Sequence, residues 1–217
     1  MRTRIKICGI TRQEDLEACL QAGVDAIGFV FYAPSPRAID IGQAARLVSR
    51  LPPFVTAVGL FVNAPAADVR ATLAEVPLGL LQFHGDETAD YCRQFGRPWL
   101  KAIRVRPGVD LVNCAAQFAG ATALLVDAFV DGYGGGGQVF DWNLIPAGLP
   151  CPLVLSGGLD DSNVGDAVRR VRPWAVDVSS GVEARDVEGG LRKGIKDARR
   201  IEAFVAGVRD ADAGLSL

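Results

Sequence analysis

RIKICGI, residues 4–10, is a short apolar strand that closes on a cysteine followed at once by glycine. In a parallel α/β protein the C-terminal end of a strand faces the mouth of the sheet, where active sites are built. Cys8 is thereby placed to react. TALLVDAF, residues 122–129, repeats the arrangement far along the chain, with a carboxylate, Asp127, at the strand end. A thiol and a carboxylate on two strand ends form a candidate acid–base pair. Each also has a plainer use: a cysteine after a strand can be a small core residue, and an aspartate can cap a turn.

The same grammar recurs along the whole chain. After RIKICGI come AIGFVF (26–31), TAVGLFV (56–62), GLLQFHG (79–85), WLKAIRV (99–105), ALLVDAF (123–129), PLVLSGG (152–158) and AVDVSSG (175–181). They begin about every 20 to 30 residues, the length of one strand-plus-helix unit in a (β/α)₈ barrel. QEDLEACLQAG, IGQAARLVSRL, PAADVRATLAEV, TADYCRQF and SNVGDAVRRV fill most gaps with apolar residues at helical spacing. VDLVNCAAQF and FDWNLIPAGL are weaker, which predicts short or irregular helices there. Residues 188–207 carry a longer helical pattern suited to closing the ring. The predicted architecture is α/β, a single (β/α)₈ TIM barrel spanning residues 1–217, its last ten or so residues a loose tail. A doubly wound open sheet is the alternative, since periodicity alone does not close a sheet. The first strand lacks the GxGxxG turn of the dinucleotide-binding version.

Composition narrows the chemistry. With 217 residues, 49% of them hydrophobic, the chain can bury a large core, and no linker-like stretch divides it. Net charge is −2 and the basic residues are scattered, which argues against nucleic acid and anionic membrane as partners. No run approaches a membrane span, and the N-terminus has too short an apolar run for a signal peptide, so a cytoplasmic location is expected. The five cysteines are odd in number and lack CxxC spacing, and there is one histidine, His84; neither a disulfide framework nor a metal cluster is indicated.

Small residues mark where an anion would sit. The seventh strand runs into LSGGL (155–159) and the eighth into DVSSGVE (177–183). The loops after strands seven and eight are the usual phosphate site of this architecture, and small residues let backbone N–H groups approach closely. Gly157, Gly158, Ser179, Ser180 and Gly181 are the ligand candidates, although glycines also serve simply to allow tight turns. The third and fourth strands end FVN and FHG without such a pair of turns, which predicts one phosphate in the ligand rather than two. YGGGGQ (133–138) is open enough to form a lid over the mouth or a passive loop. In YAPSPRAI (32–39), Arg37 is placed to bind a carboxylate bidentately or to be a solvated surface residue.

Alternation along the strands adds a pairing. If Cys8 points inward, so does Lys6, while Ile5 and Ile7 face the helices. Asp177 and Ser179 share one face of the eighth strand, and closure makes strands one and eight neighbours. A buried Lys6–Asp177 ion pair is predicted. Gln82 and His84 share the inward face of the fourth strand, His84 as a hydrogen-bonded wall residue that also touches substrate.

Taken together, KICGIT, GVDAIGFVF, SPR, PPFVTAVGLFVN, QFHGDE, LLVDAF, GGGGQVFDW, LVLSGGL and RPWAVDVSSGVE resemble phosphoribosylanthranilate isomerase over nearly the whole chain. The resemblance implies an Amadori rearrangement of N-(5-phosphoribosyl)anthranilate in tryptophan biosynthesis, with no metal or organic cofactor. The partner it implies is a small phosphosugar carrying an anthranilate group. It also implies Cys8 as general base, Asp127 as general acid and Arg37 as the holder of the anthranilate moiety, with SGG and SSG as phosphate loops. For that chemistry Asp127 must start protonated and Cys8 must become a thiolate readily. Many relatives end the glycine loop on a lysine; Gln138 stands there, able to donate a hydrogen bond but no ammonium. A histidine-pathway isomerase would be expected to carry a carboxylate at position 8 and a second phosphate site. A silent phosphosugar-binding module would need neither Cys8 nor Asp127.

Overall fold

A computed structural model describes residues 2–128 and 140–215. Eight parallel strands close into a barrel in chain order: β1 (Arg4–Cys8), β2 (Ala26–Phe31), β3 (Thr56–Phe61), β4 (Leu80–Phe83), β5 (Trp99–Val105), β6 (Ala123–Ala128), β7 (Leu153–Leu155) and β8 (Ala175–Val178). The ring is completed by β8 pairing with β1, where Lys6 lies level with Asp177. Closure removes both sheet edges, so every strand's ladder is satisfied by a neighbour.

Helices α1 (Gln13–Ala22), α2 (Ile41–Val48), α3 (Ala66–Glu75), α4 (Ala89–Arg93), α5 (Leu111–Gln117), α6 (Val164–Val171) and α7 (Ala198–Leu215) lie outside. Their starts are marked by side-chain caps where the sequence supplies them. Asp40 accepts from the Gln43 N–H, Thr88 from Tyr91, and Asp110 from Val112 and Asn113. The two weak gaps behave as their patterns imply. The fifth holds a helix of seven residues, and the described part of the sixth holds a single 3₁₀ turn, Trp142–Leu144.

The chain after β8 departs from expectation. Residues 188–207 are not one helix: β9 (Glu183–Arg185) and β10 (Leu191–Lys196) form an antiparallel hairpin before α7 begins. Gly189 and Gly194 adopt φ of +87° and +83°, which breaks a helix, and Asp186 caps the turn by accepting from the N–H groups of Glu188 and Gly190. The expected loose tail is also corrected. Helix α7 runs to Leu215 and buries Ile201, Phe204, Val205, Val208 and Ala211, an apolar stripe at helical spacing that holds it against the barrel.

Strand parity sorts the core into layers. Outward-facing Ile5, Ile7, Ile27, Phe29, Leu81, Phe83, Leu124, Val126, Leu155 and Val176 pack beneath the helices. Inside, Leu100, Ala102, Ala123, Leu125, Val154 and Ala175 form one apolar layer, while Cys8, Val30, Leu60 and Val62 form another. The interior is thus filled with side chains rather than hollow.

Candidate active site

The inward face of β1 places Lys6 and Cys8 one above the other. Lys6 Nζ donates to Asp177 Oδ1 at 2.8 Å with both side chains buried, the pairing expected from parity and closure. The same ammonium serves Cys8. A Cβ on Gly28, level with Cys8 on β2, would stand 2.7 Å from Cys8 Sγ and 3.0 Å from Lys6 Nζ. Glycine at 28 leaves the room in which thiol and ammonium meet. Burial pushes the Cys8 pKa up, and the charges of Lys6 and Lys196 work against that rise without cancelling it. Lys6 loses by burial but gains more from Asp177 and Cys8, so its pKa lies above the usual value.

Three strand steps round the ring, Asp127 ends β6 with a partly exposed carboxylate. Its Oδ1 accepts the Ala128 N–H at 2.8 Å and its Oδ2 lies 3.2 Å from His84 Nε2. His84 Nδ1 meets the amide nitrogen of Gln82 at 3.0 Å. His84 is therefore a wall residue bound to the candidate acid. Gly157, at φ +87°, carries the β7 loop past this carboxylate; a Cβ there would come within 2.9 Å of Asp127 Oδ1.

The two small-residue turns do come together. A Cβ on Gly181 would collide with the Leu159 carbonyl, so the loops after β7 and β8 touch backbone to backbone at that glycine. Gly158 holds its own loop in shape by accepting from Asn163 Nδ2, and Ser180 and Gly181 open a 3₁₀ turn, Ser180–Val182. The hydroxyl of Ser179 is engaged elsewhere. It donates to the Cys8 carbonyl at 3.0 Å and accepts from Lys196 Nζ at 3.2 Å, tying the β8 turn to the end of β1.

Arg37 is buried, which removes the solvated-surface alternative, and the carboxylate that it grips bidentately is the chain's own. Nε and Nη2 donate to Glu183 Oε1 and Oε2 at 2.7 and 2.8 Å. Glu183, fully buried, also accepts from the Gly194 N–H at 2.8 Å and from Lys196 Nζ at 3.3 Å. Burial raises the Glu183 pKa, but the Arg37 hydrogen bonds, Lys196 and the Gly194 amide outweigh it and hold the pKa below the usual carboxylate range. Burial and the Arg37 charge lower the Lys196 pKa more than Glu183 restores it.

The sequence reading missed Glu183 and Lys196. Glu183 closes the motif DVSSGVE and was visible there as a carboxylate at a strand end; Lys196 was hidden inside a segment read as helix. A third buried pair was also unforeseen. Lys101 Nζ reaches Gly85 O at 2.5 Å and Glu87 Oε2 at 3.2 Å, while Glu87 accepts from the Asn63 and Gly85 N–H groups, bracing the turn that follows His84. The glycine stretch 133–138, with Gln138, lies outside the described residues.

A family model described as N-(5'phosphoribosyl)anthranilate (PRA) isomerase matches residues 5–207. An N-(5'-phosphoribosyl)anthranilate isomerase of Dechloromonas aromatica is 62% identical over 215 residues, covering 99% of this chain and all of that one. Among solved structures, a phosphoribosyl anthranilate isomerase from Thermus thermophilus superposes with a TM-score of 0.85 at 30% identity, covering 96% of this chain and 99% of its own. Another, solved in complex with reduced 1-(o-carboxyphenylamino)-1-deoxyribulose 5-phosphate, gives 0.80 at 38% identity with the same coverages.

Proposed function

The chain belongs to the phosphoribosylanthranilate isomerase family, and on that premise we propose that Cys8 is the general base and Asp127 the general acid of its reaction. That reaction converts N-(5-phosphoribosyl)anthranilate into 1-(2-carboxyphenylamino)-1-deoxyribulose 5-phosphate, a step of tryptophan biosynthesis. Asp127, protonated, gives its proton to the ribose ring oxygen, and the furanose opens to a Schiff base. Cys8, having lost its own proton to solvent to become the thiolate, then takes the proton from C2′, and the resulting enolamine tautomerises to the ketone. The observation that carries this reading is the pairing of each group with a neighbour suited to it: Lys6 stands against the Cys8 thiol, and His84 with the Ala128 N–H holds the Asp127 carboxyl. A thiol kept neutral by burial beside an ammonium can accept charge when a proton leaves, because the new thiolate is met by Lys6 at once.

The remaining assignments follow the same division. Phosphate is held by the turns of Gly157, Gly158, Ser180 and Gly181, with Ser179 contributing through the backbone, its hydroxyl being spent on Cys8 and Lys196. His84 lines the substrate side of the acid. Arg37 presents the anthranilate carboxylate with Nη1, the guanidinium nitrogen that Glu183 does not use. The chain works as one barrel domain on a small-molecule substrate, without nucleic acid, membrane or cofactor, in the cytoplasm. No described helix is long and apolar enough to cross a membrane.

The test is kcat beside affinity for the reduced product analogue, using substrate generated in situ. Cys8→Ser and Asp127→Asn should bind the analogue nearly as wild type and lose ~10²–10⁴-fold or more in kcat. A variant keeping more than about a tenth of wild-type kcat shows that its residue is neither acid nor base.

A further inference from the structure

Gln82 is fully buried on the inward face of β4, level with Leu60 of β3 and Leu100 of β5. Among the described residues its carbonyl Oε1 meets no hydrogen-bond donor, while its amide nitrogen lies 3.0 Å from His84 Nδ1. A leucine or methionine would pack at this level without leaving a polar atom unmet. Burying an unpartnered carbonyl works against folding, so packing does not account for the amide. The one contact that does is the bond to His84.

That bond decides where the imidazole carries its proton. An amide N–H can only donate, so Nδ1 is the accepting, unprotonated nitrogen, and the proton of the neutral ring sits on Nε2. Nε2–H in turn faces Asp127 Oδ2 at 3.2 Å, while the Ala128 N–H holds Oδ1 at 2.8 Å. Both oxygens of the carboxyl are thus pinned and its plane is set. With the proton on Nδ1 instead, His84 would turn a lone pair toward Asp127, and the carboxylate left once the acid has given up its proton would lose one of its two supports.

We propose that Gln82 is a positioning residue that acts on Asp127 through His84, by holding the imidazole in its Nε2–H form. The proposal rests on Asp127 being the general acid, and it adds a residue that never touches substrate. The chain has one histidine, so ¹⁵N NMR of histidine-labelled protein reports this tautomer alone. Wild type should show a protonated Nε2 and an unprotonated Nδ1. Gln82→Met, which cannot donate, should move the ring toward Nδ1–H, and Gln82→Glu, whose carboxylate only accepts, should do so completely.

Gln82→Met should keep or raise the melting temperature and leave affinity for the reduced product analogue near wild type. Its kcat should fall about tenfold, less than the ~10²–10⁴-fold that loss of an acid costs. A wild-type ring protonated on Nδ1 overturns the proposal, as does a methionine variant with unchanged tautomer or unchanged kcat. A drop in melting temperature with kcat retained also overturns it, by making the amide structural. Wild-type kcat in Asp127→Asn would instead sink the acid assignment; the tautomer measurement, which needs no turnover, keeps the two failures apart.

Discussion

The lower and upper interiors of the barrel are walls of the same strands, yet they are built from opposite materials. Below, Leu100, Ala102, Ala123, Leu125, Val154 and Ala175 pack as an apolar layer, with the amide of Gln82 standing level with Leu100. Above, two residues further along the same strands, stand Asp127, Asp177 and, from their own strands, Lys6, Cys8 and His84. One step of two residues along β6, from Leu125 to Asp127, crosses from packing to the proposed acid. The lower layer supplies burial free energy and fixes the ring's diameter. The upper layer costs desolvation, which it offsets only by pairing each charge with a partner already in place. Lys6 sits in such a pair with Asp177; away from this wall, Lys101, which points outward between Leu100 and Ala102, is buried beside Glu87, and Lys196 of β10 beside Glu183.

The sharpest way to break the contrast is to remove one partner from the upper network. Glu183→Gln leaves Arg37 and Lys196 without their shared carboxylate and should lower stability by ~3–5 kcal/mol. It should also raise KM, because Arg37 loses the grip that orients it. The pH dependence has a definite sign. Glu183 has a folded pKa below its unfolded one, so its contribution is fully present above the ordinary carboxylate range (~4.3) and is lost as pH falls through the lowered value. Urea titrations across acid pH should show a shallower acid loss in the variant. Equal slopes would mean that Glu183 does not titrate as the structure implies.

The lower layer should answer differently. Leu125→Ala, in a fully buried position, should cost ~2–5 kcal/mol of stability while the folded fraction keeps its kcat. A large kcat loss at a temperature where the variant is still folded would show that the two layers are mechanically coupled.

A smaller effect separates charge from packing at the site itself. Ser180→Glu brings negative charge to the proposed phosphate turns and should raise KM about tenfold or more, since like-charge juxtaposition costs several kcal/mol. Equal inhibition of variant and wild type by inorganic phosphate would move the site elsewhere.

The mildest test concerns Cys8. Burial already raises its pKa and Lys6 opposes the rise, so Lys6→Met, made together with Asp177→Asn to avoid a lone buried charge, should shift the rising limb of the kcat/KM profile to higher pH. Asp177 raises the thiol pKa less than Lys6 lowers it, so a limb that stays in place or moves down would show that the Lys6–Asp177 pair as a whole does not favour the thiolate.

Much of this was legible before any coordinates. Strand period and spacing give eight units, and parity along RIKIC and AVDV places Lys6 opposite Asp177, because alternation of side chains is a property of one strand read with its neighbour. The helical reading of 188–207 failed because apolar spacing outweighed the glycines at 189, 190 and 194, two of which hold positive φ. Arg37 was visible as a guanidinium in search of a carboxylate, but nothing local named Glu183, which lies 146 residues away.

What the sequence by itself determined is which groups stand at strand ends and which way each points: Cys8, Asp127, Lys6, Asp177, His84 and the glycine turns after β7 and β8. Those follow from short-range periodicity, which the chain carries residue by residue. Which charged groups meet across the mouth was decided only by tertiary structure. Arg37, Glu183 and Lys196 come from the loop after β2, the chain just past β8 and the hairpin strand β10. Their contact depends on barrel closure and on the hairpin folding back, and burial then selects the partners, since an ion taken from water must find its opposite charge in the space closure leaves.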